Sequence, residues 1–154
     1  MENKQLKSLI DILAQANGFN AAFGGWFKES PECIIVLDLQ KSNFGNLYYL
    51  NIKFFVQGAF GKHYSKNKDL VKKDVGTIFR RQPKEYEAVF DLEVPMTDNE
   101  RTQKLEELFL NFIAPLTDKA LTKAGIKELE EKGKMHQFPG IKNELDKICE
   151  LKKN

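Results

Sequence analysis

Residues 33–56 read CIIVLDLQKSNFGNLYYLNIKFFV, and this stretch is the most informative part of the chain. Two segments rich in β-branched, leucine and aromatic residues flank a turn of polar residues and glycine, a pattern typical of an antiparallel hairpin. A register in which paired residue numbers sum to 87 makes one face apolar: Cys33, Ile35, Leu37 and Leu39 then lie opposite Phe54, Ile52, Leu50 and Tyr48. A slip by one residue would mix polar and apolar side chains on each face, so the pattern favours this pairing.

The other face of this hairpin is polar, and the turn Lys41–Asn46 adds further polar groups. We therefore predict a ligand or partner surface, which the arginines of a following segment would complete; its residues are Asp38, Gln40, Lys41, Ser42, Tyr49, Asn51, Arg80 and Arg81. Arginine offers a bidentate fork to phosphate or carboxylate, and the amides offer paired donors and acceptors, so a cleft here would bind an anion or a carbonyl-bearing ligand. The alternative is structural, because such side chains often satisfy backbone groups around a turn.

Upstream of the hairpin, leucines and an isoleucine at helical spacing predict a helix over residues 3–16 that ends at Asn17-Gly18. A short strand is expected to end at Trp26-Phe27. Residues 57–74 predict an exposed loop with one helical turn at 69–73. Residues 77–81 and 86–94 predict a second hairpin, because apolar and polar side chains alternate along the later segment.

The C-terminal third of the chain reads as helical. Thr97 and Glu100 have the spacing of a capping box, and the helix that they open should end near residue 114, before Pro115. Residues 116–132 predict a helix broken near Gly125, and a last helix follows residues 138–140. We therefore predict a single α+β domain over residues 1–154, with an antiparallel sheet of about four to five strands and helices on one face.

Composition indicates an ordinary soluble protein. The chain has 154 residues, 42% of them hydrophobic and 30% charged, and a net charge of +2. No apolar run is long enough to cross a membrane, no signal peptide opens the chain, and the two cysteines form no motif, so we expect a reducing cytoplasm. We expect no cofactor or metal: the glycines of residues 58–62 are too close for a phosphate loop, and His63 and His136 lack metal-binding spacing.

Charge is distributed unevenly along the chain. Residues 53–84 contain nine Lys or Arg against two acids, and residues 85–114 contain eight acids against two bases. One interpretation is that the two segments neutralise each other across the fold, and the other is that the basic segment forms a binding patch.

Three sequence features resemble the bacterial domain of unknown function 4304 family. They are a first helix that ends in Gly18-Phe19, a strand that ends in LQKS at residues 39–42, and a following strand that carries Asn51. An Arg-containing segment comes later in that family, and Arg80 and Arg81 would match it. The resemblance covers about residues 5–115 and leaves residues 116–154 as a helical extension. It implies a small cytoplasmic α+β domain and no established activity.

Three classes of function remain open. The first is a non-enzymatic binding or interaction protein with an unknown protein or small-molecule partner. The second is a ligand-binding or enzymatic domain that uses Gln40, Asn51 and Arg80 or Arg81. The third is nucleic-acid binding, which the low net charge and the lack of a recognisable nucleic-acid module argue against.

Overall fold

A computed structural model describes residues 1–135 and 139–153 of the chain. The strands are β1 (Asn20–Ala22), β2 (Gly25–Glu29), β3 (Cys33–Lys41), β4 (Tyr48–Val56) and β5 (Ile78–Arg81). The helices are α1 (Asn3–Ala16), α2 (Lys68–Lys72), α3 (Asp98–Leu108), α4 (Ala114–Lys119), α5 (Lys123–Glu131) and α6 (Pro139–Lys153). The strands form one antiparallel sheet in the order β1-β2-β3-β4-β5, which confirms the predicted α+β class.

The central hairpin of β3 and β4 has the predicted faces and a different register. Its paired residue numbers sum to 89, so that Leu37 lies opposite Ile52 and Asp38 opposite Asn51. A shift by two positions leaves every side chain on its predicted face, which is why the apolar pattern could not distinguish the two registers. The turn decides between them: the Ser42 N–H donates to the Leu47 carbonyl at 2.8 Å, and the Ser42 hydroxyl accepts from the Phe44 N–H.

The short strand expected near Trp26 is in fact a hairpin of β1 and β2. Phe23 and Gly24 lie between the two strands and both have positive φ, +53° and +81°. Two consecutive left-handed residues are characteristic of the tight hairpin turn whose twist matches that of the flanking strands. Phenylalanine is an uncommon residue in that conformation, so the sequence carried a weak turn signal.

The main hydrophobic core lies between one face of the sheet and most of the helices. Leu6 and Ile10 of α1 and Leu105 of α3 pack there with the apolar residues of β3 and β4. A second, smaller cluster lies on the other face, where α2 covers the sheet; its buried residues are Phe27, Ile34, Val36, Phe55, Leu70 and Val71. The helices were expected on one face, and α2, at the place of the predicted helical turn, is the exception.

The segment 86–94, predicted as a strand, begins as a 3-10 helix over Lys84–Phe90, and only an isolated bridge joins Asp91 to Leu47. The strand prediction was wrong because neighbouring residues, Val89 and Phe90, are both buried, as in a helical turn. Arg101 of α3 holds this segment. Its guanidinium donates to four backbone carbonyls, those of Ala88, Val89, Asp91 and Val94, at 2.6–3.3 Å.

The helical third differs from its prediction at two residues. Thr97 caps α3 as predicted, since its hydroxyl accepts from the Glu100 N–H. Pro115 does not end the helix, because a π-helical turn over Phe109–Ile113 intervenes and Pro115 lies in the first turn of α4, where proline is tolerated. Gly125 lies inside α5 and not at the break, and a Cβ there would collide with the Lys119 carbonyl oxygen.

Replacing Arg101 tests the role of this buried guanidinium. Arg101→Met removes the guanidinium donor from four carbonyls, of which those of Ala88 and Asp91 keep a backbone N–H donor, and we expect a loss of about 3–5 kcal/mol in the free energy of unfolding. Urea denaturation followed by circular dichroism measures the loss. Lys104→Met, on an exposed position of the same helix, is the control and should change stability by less than about 0.5 kcal/mol. Equal stability of the two variants would show that Arg101 does not hold the 84–94 segment.

Thiol reactivity tests the interior position of Cys33. Burial raises the pKa of this thiol to about 12, so almost none of it is thiolate at pH 8. In a Cys149→Ser variant, we expect Cys33 to remain unmodified by an aromatic disulfide reagent in buffer and to react fully in urea. The absorbance of the released thiolate provides the measurement, and rapid labelling without denaturant would contradict the packing.

Candidate functional site

A cleft of about 520 Å³ lies on the polar face of the sheet. Strands β3, β4 and β5 form its floor, and the connection from α2 to β5 forms its wall. Its residues are Asp38, Leu39, Gln40, Lys41, Asn51, Lys53, Val71, Lys72, Lys73, Asp74, Val75, Phe79 and Arg81. The volume lies in the range of small-molecule sites, and the lining combines polar and apolar side chains.

The amide of Asn51 organises the floor of the cleft. Asn51 is only 3% exposed and stands at the centre of the hairpin, where β4 is paired on both sides. Its Nδ2 donates to Gln40 Oε1 at 2.8 Å and to Asp38 Oδ2 at 3.3 Å, and its Oδ1 accepts from Arg81 Nε at 3.0 Å. One side chain of β4 therefore positions an acid and an amide of β3 and a cation of β5, the two strands that flank it.

Arg81 is the cation that this network positions. Its guanidinium carbon lies 4.2 Å from the centre of the Tyr49 ring, within cation–π distance. The Nε donates to Asn51, and the two terminal nitrogens make no hydrogen bond within the described part of the chain. The hydrogen bond from Nε thus orients the guanidinium of Arg81, and the N–H groups of its two terminal nitrogens can donate to a ligand.

Lys53 joins the floor of the cleft to its wall. This side chain is buried, and its ammonium donates to the carbonyl oxygens of Val71 at 2.8 Å and Leu70 at 3.3 Å, near the end of α2. Asp38 lies 3.9 Å away and balances its charge. Burial lowers the pKa of Lys53, while Asp38 and Asp74 oppose that shift. A positive charge is stabilised at the C-terminal, carbonyl end of a helix, and the hydrogen bonds of this ammonium hold α2 against the sheet.

The cleft has a positive balance of charge. Five cationic side chains line it, Lys41, Lys53, Lys72, Lys73 and Arg81, against the two carboxylates of Asp38 and Asp74. Among the described residues, no ion pair joins segment 53–84 to segment 85–114. The interpretation in which these two segments neutralise each other therefore has no support at the level of ion pairs, and part of the basic segment lies at the cleft.

Six of the eight predicted surface residues come together here: Asp38, Gln40, Lys41, Tyr49, Asn51 and Arg81. Ser42 stays in the turn, where its hydroxyl accepts from the Phe44 N–H. Arg80 lies on the opposite face, because neighbours on a strand point to opposite sides. There it donates to the Lys134 carbonyl and lies 4.6 Å from the centre of the Phe112 ring, and burial lowers its pKa.

The residues of the cleft that lie outside the polar hairpin were not predicted from the sequence. Lys72, Lys73 and Asp74 fall in the segment interpreted as an exposed loop with one helical turn, Val75 follows that segment, and Phe79 falls in a predicted strand without a role. The excess of lysine in residues 53–84 was the available signal. It could not show which of these lysines face the polar hairpin, because that depends on how α2 packs.

The described lining of the cleft consists of carboxylate, amide, cationic and apolar residues. It contains no serine, threonine, cysteine or histidine, and its buried lysine already donates to α2. Within residues 1–135 and 139–153, no group of three or more His, Cys, Asp or Glu could hold a metal ion. His63 is exposed, and His136 lies outside the described residues.

The chain forms a small α+β domain, a five-stranded antiparallel meander with most helices on one face and with α2 beside a cationic cleft on the other. The family model described as "Domain of unknown function (DUF4304)" matches residues 12–119, and the chain belongs to that family. The quoted motifs suggested about residues 5–115. Comparison with curated proteins and with solved structures finds no match. No helix of the described chain is long and apolar enough to cross a bilayer.

A double-mutant cycle tests the network around Asn51. Because Arg81 donates to the Asn51 amide, we expect Asn51→Ala and Arg81→Ala to be non-additive in the free energy of unfolding, with a coupling of about 1 kcal/mol. Urea denaturation of the four proteins provides the data. Asn51→Ala combined with Lys104→Ala is the control pair and should be additive. Additivity of both pairs would mean that Asn51 does not position Arg81.

Proposed function

We propose that this protein is a non-enzymatic binding protein whose cleft holds a small ligand with a carboxylate or phosphate group. The observation that carries the proposal is Arg81, whose guanidinium is oriented by Asn51 and Tyr49 while its terminal nitrogens point to no partner in the described chain. A positioned fork with free donors is the arrangement by which proteins recognise planar anions.

The surrounding charges support an anionic ligand. Lys41, Lys72 and Lys73 are exposed residues of the cleft lining, and exposed cations can approach a bound anion without a large desolvation cost. Asp38 and Asp74, with Asp69 at 4.0 Å from the Lys73 ammonium, offset only part of this charge. An attraction of this kind is screened by salt, which gives the proposal a measurable signature.

The geometry favours a small ligand over an extended nucleic acid. The basic segment does not form one continuous surface: Lys53 is buried, and Arg80 lies on the helical side of the sheet. Lys66 is not among the residues that line the cleft, and its ammonium lies 5.2 Å from the centre of the Phe27 ring. The cations that remain at the cleft surround a single concave site, which matches the dimensions of a metabolite and not those of a strand of nucleotides.

We also infer a cytoplasmic setting. Cys33 and Cys149 are both free thiols. Persistent free thiols are typical of reducing compartments.

Titration of the isotopically labelled protein with inorganic phosphate, and separately with citrate, tests the proposal by NMR. We expect saturable shifts at the amides of β3–β5 and α2, with a dissociation constant on the order of 1 mM for phosphate. Arg81→Ala should weaken binding at least tenfold, because it removes a charged hydrogen-bonding fork. Raising the salt concentration should weaken it as well.

The control variant is Lys104→Ala, which removes an exposed cation of α3 outside the cleft and should bind as the parent does. If neither anion shifts the cleft amides, or if Arg81→Ala binds both as tightly as the parent, the cleft is not an anion site.

A further inference from the structure

We infer that the natural ligand carries an aromatic ring beside its anionic group, so that it is an aryl phosphate or aryl carboxylate in chemical class. This inference rests on the proposed function and specifies the part of the ligand that the cations do not contact. It comes from the apolar side of the cleft, which an inorganic anion would leave in water.

Apolar side chains form part of the wall and part of the floor of the cleft. Val75 is 60% exposed and Phe79 is 37% exposed, and both line the cleft together with the buried Val71. Phe79 is on β5 two residues from Arg81, so the two side chains leave the same face of the strand. A ligand that extends from Arg81 along the strand therefore meets Phe79.

Scattered apolar residues on a surface need no explanation, and this protein has some. Phe44 in the β3–β4 turn is 98% exposed and Leu110 is 69% exposed, and neither lines the cleft. Val75 and Phe79 differ from these because they lie beside a positioned cation in a concave site. Apolar walls with a few convergent polar groups are the usual composition of small-molecule sites.

The two aromatic rings near Arg81 explain why the apolar part should be flat. The guanidinium carbon lies 4.2 Å from the centre of the Tyr49 ring and 5.9 Å from the centre of the Phe79 ring. Guanidinium groups and aromatic rings stack on planar partners, and they do so while the guanidinium fork binds an anion. A ring joined to the anion can thus contact Phe79 and the guanidinium at once.

The size of the cleft accommodates such a ligand. A volume of about 520 Å³ exceeds the space that a phosphate ion needs and lies within the range of ligand sites. Burial of a ring against Phe79 and Val75 would remove apolar surface of both partners from water, which is the larger source of affinity for a compact ligand.

Two pairs of probes test the inference by NMR titration or calorimetry. The first pair is inorganic phosphate and phenyl phosphate, and the second is acetate and benzoate. We expect the aromatic member of at least one pair to bind at least tenfold more tightly, about 1.4 kcal/mol, than its non-aromatic partner. The pair with the larger gain identifies whether phosphate or carboxylate is the preferred anion.

Phe79→Ala should reduce the gain in that pair, taken as the ratio of the two affinities measured in the same variant, to within about twofold. Phe44→Ala, which removes an exposed ring outside the cleft, is the matched control and should preserve the gain. Thermal unfolding establishes that each variant is folded, and Val75→Ser replaces Phe79→Ala if that variant is not.

The outcomes separate this inference from the proposed function. Equal affinities within both pairs would overturn the inference while the anion site stands. An aromatic gain that survives both Phe79→Ala and Val75→Ser would also overturn it, because the ring would then bind elsewhere. If none of the four probes binds the cleft, the proposed function fails, and the inference fails with it.

Discussion

The antiparallel pairing of β3 with β4 organises both faces of the sheet. Nine consecutive residue pairs bring Asp38 opposite Asn51 at the point where the strands cease to be covered on both faces. Toward one end of the hairpin, apolar clusters bury both faces; toward the other, one face is left to polar side chains. The same pairing therefore creates the core and the floor of the cleft.

The sequence predicted the parts of this arrangement that depend on alternation. Faces follow from a period of two residues, so the polar set Asp38, Gln40, Tyr49 and Asn51 was correctly placed together. The register of β3 with β4 and the conformation of the 84–94 segment could not be predicted from this alternation. A shift by two positions preserves every face, and the 84–94 segment depends on Arg101, a residue of a helix that comes later in the chain. Tertiary contacts of this kind leave no local periodicity.

The candidate site shows the same division between local and distant information. Side chains alternate between the two faces of a strand. Arg81 is paired with Asn51 and shares its face, whereas the neighbouring Arg80 lies on the opposite face. The wall of the cleft comes from a segment without a period, and its position depends on the hydrogen bonds from Lys53 to α2. Sequence alone could identify the cations of this segment and could not show which of them converge.

The two hydrophobic clusters on opposite faces of the sheet share no side chain. Substitutions in the cleft-lining segment 71–75 can therefore reshape the cleft while the larger cluster, which contains most of the buried apolar side chains, is left intact. Selectivity and foldability are in this way separable traits of one small domain. Such a scaffold can diversify its ligand through a few residues of one connection, at little risk to the fold that presents them.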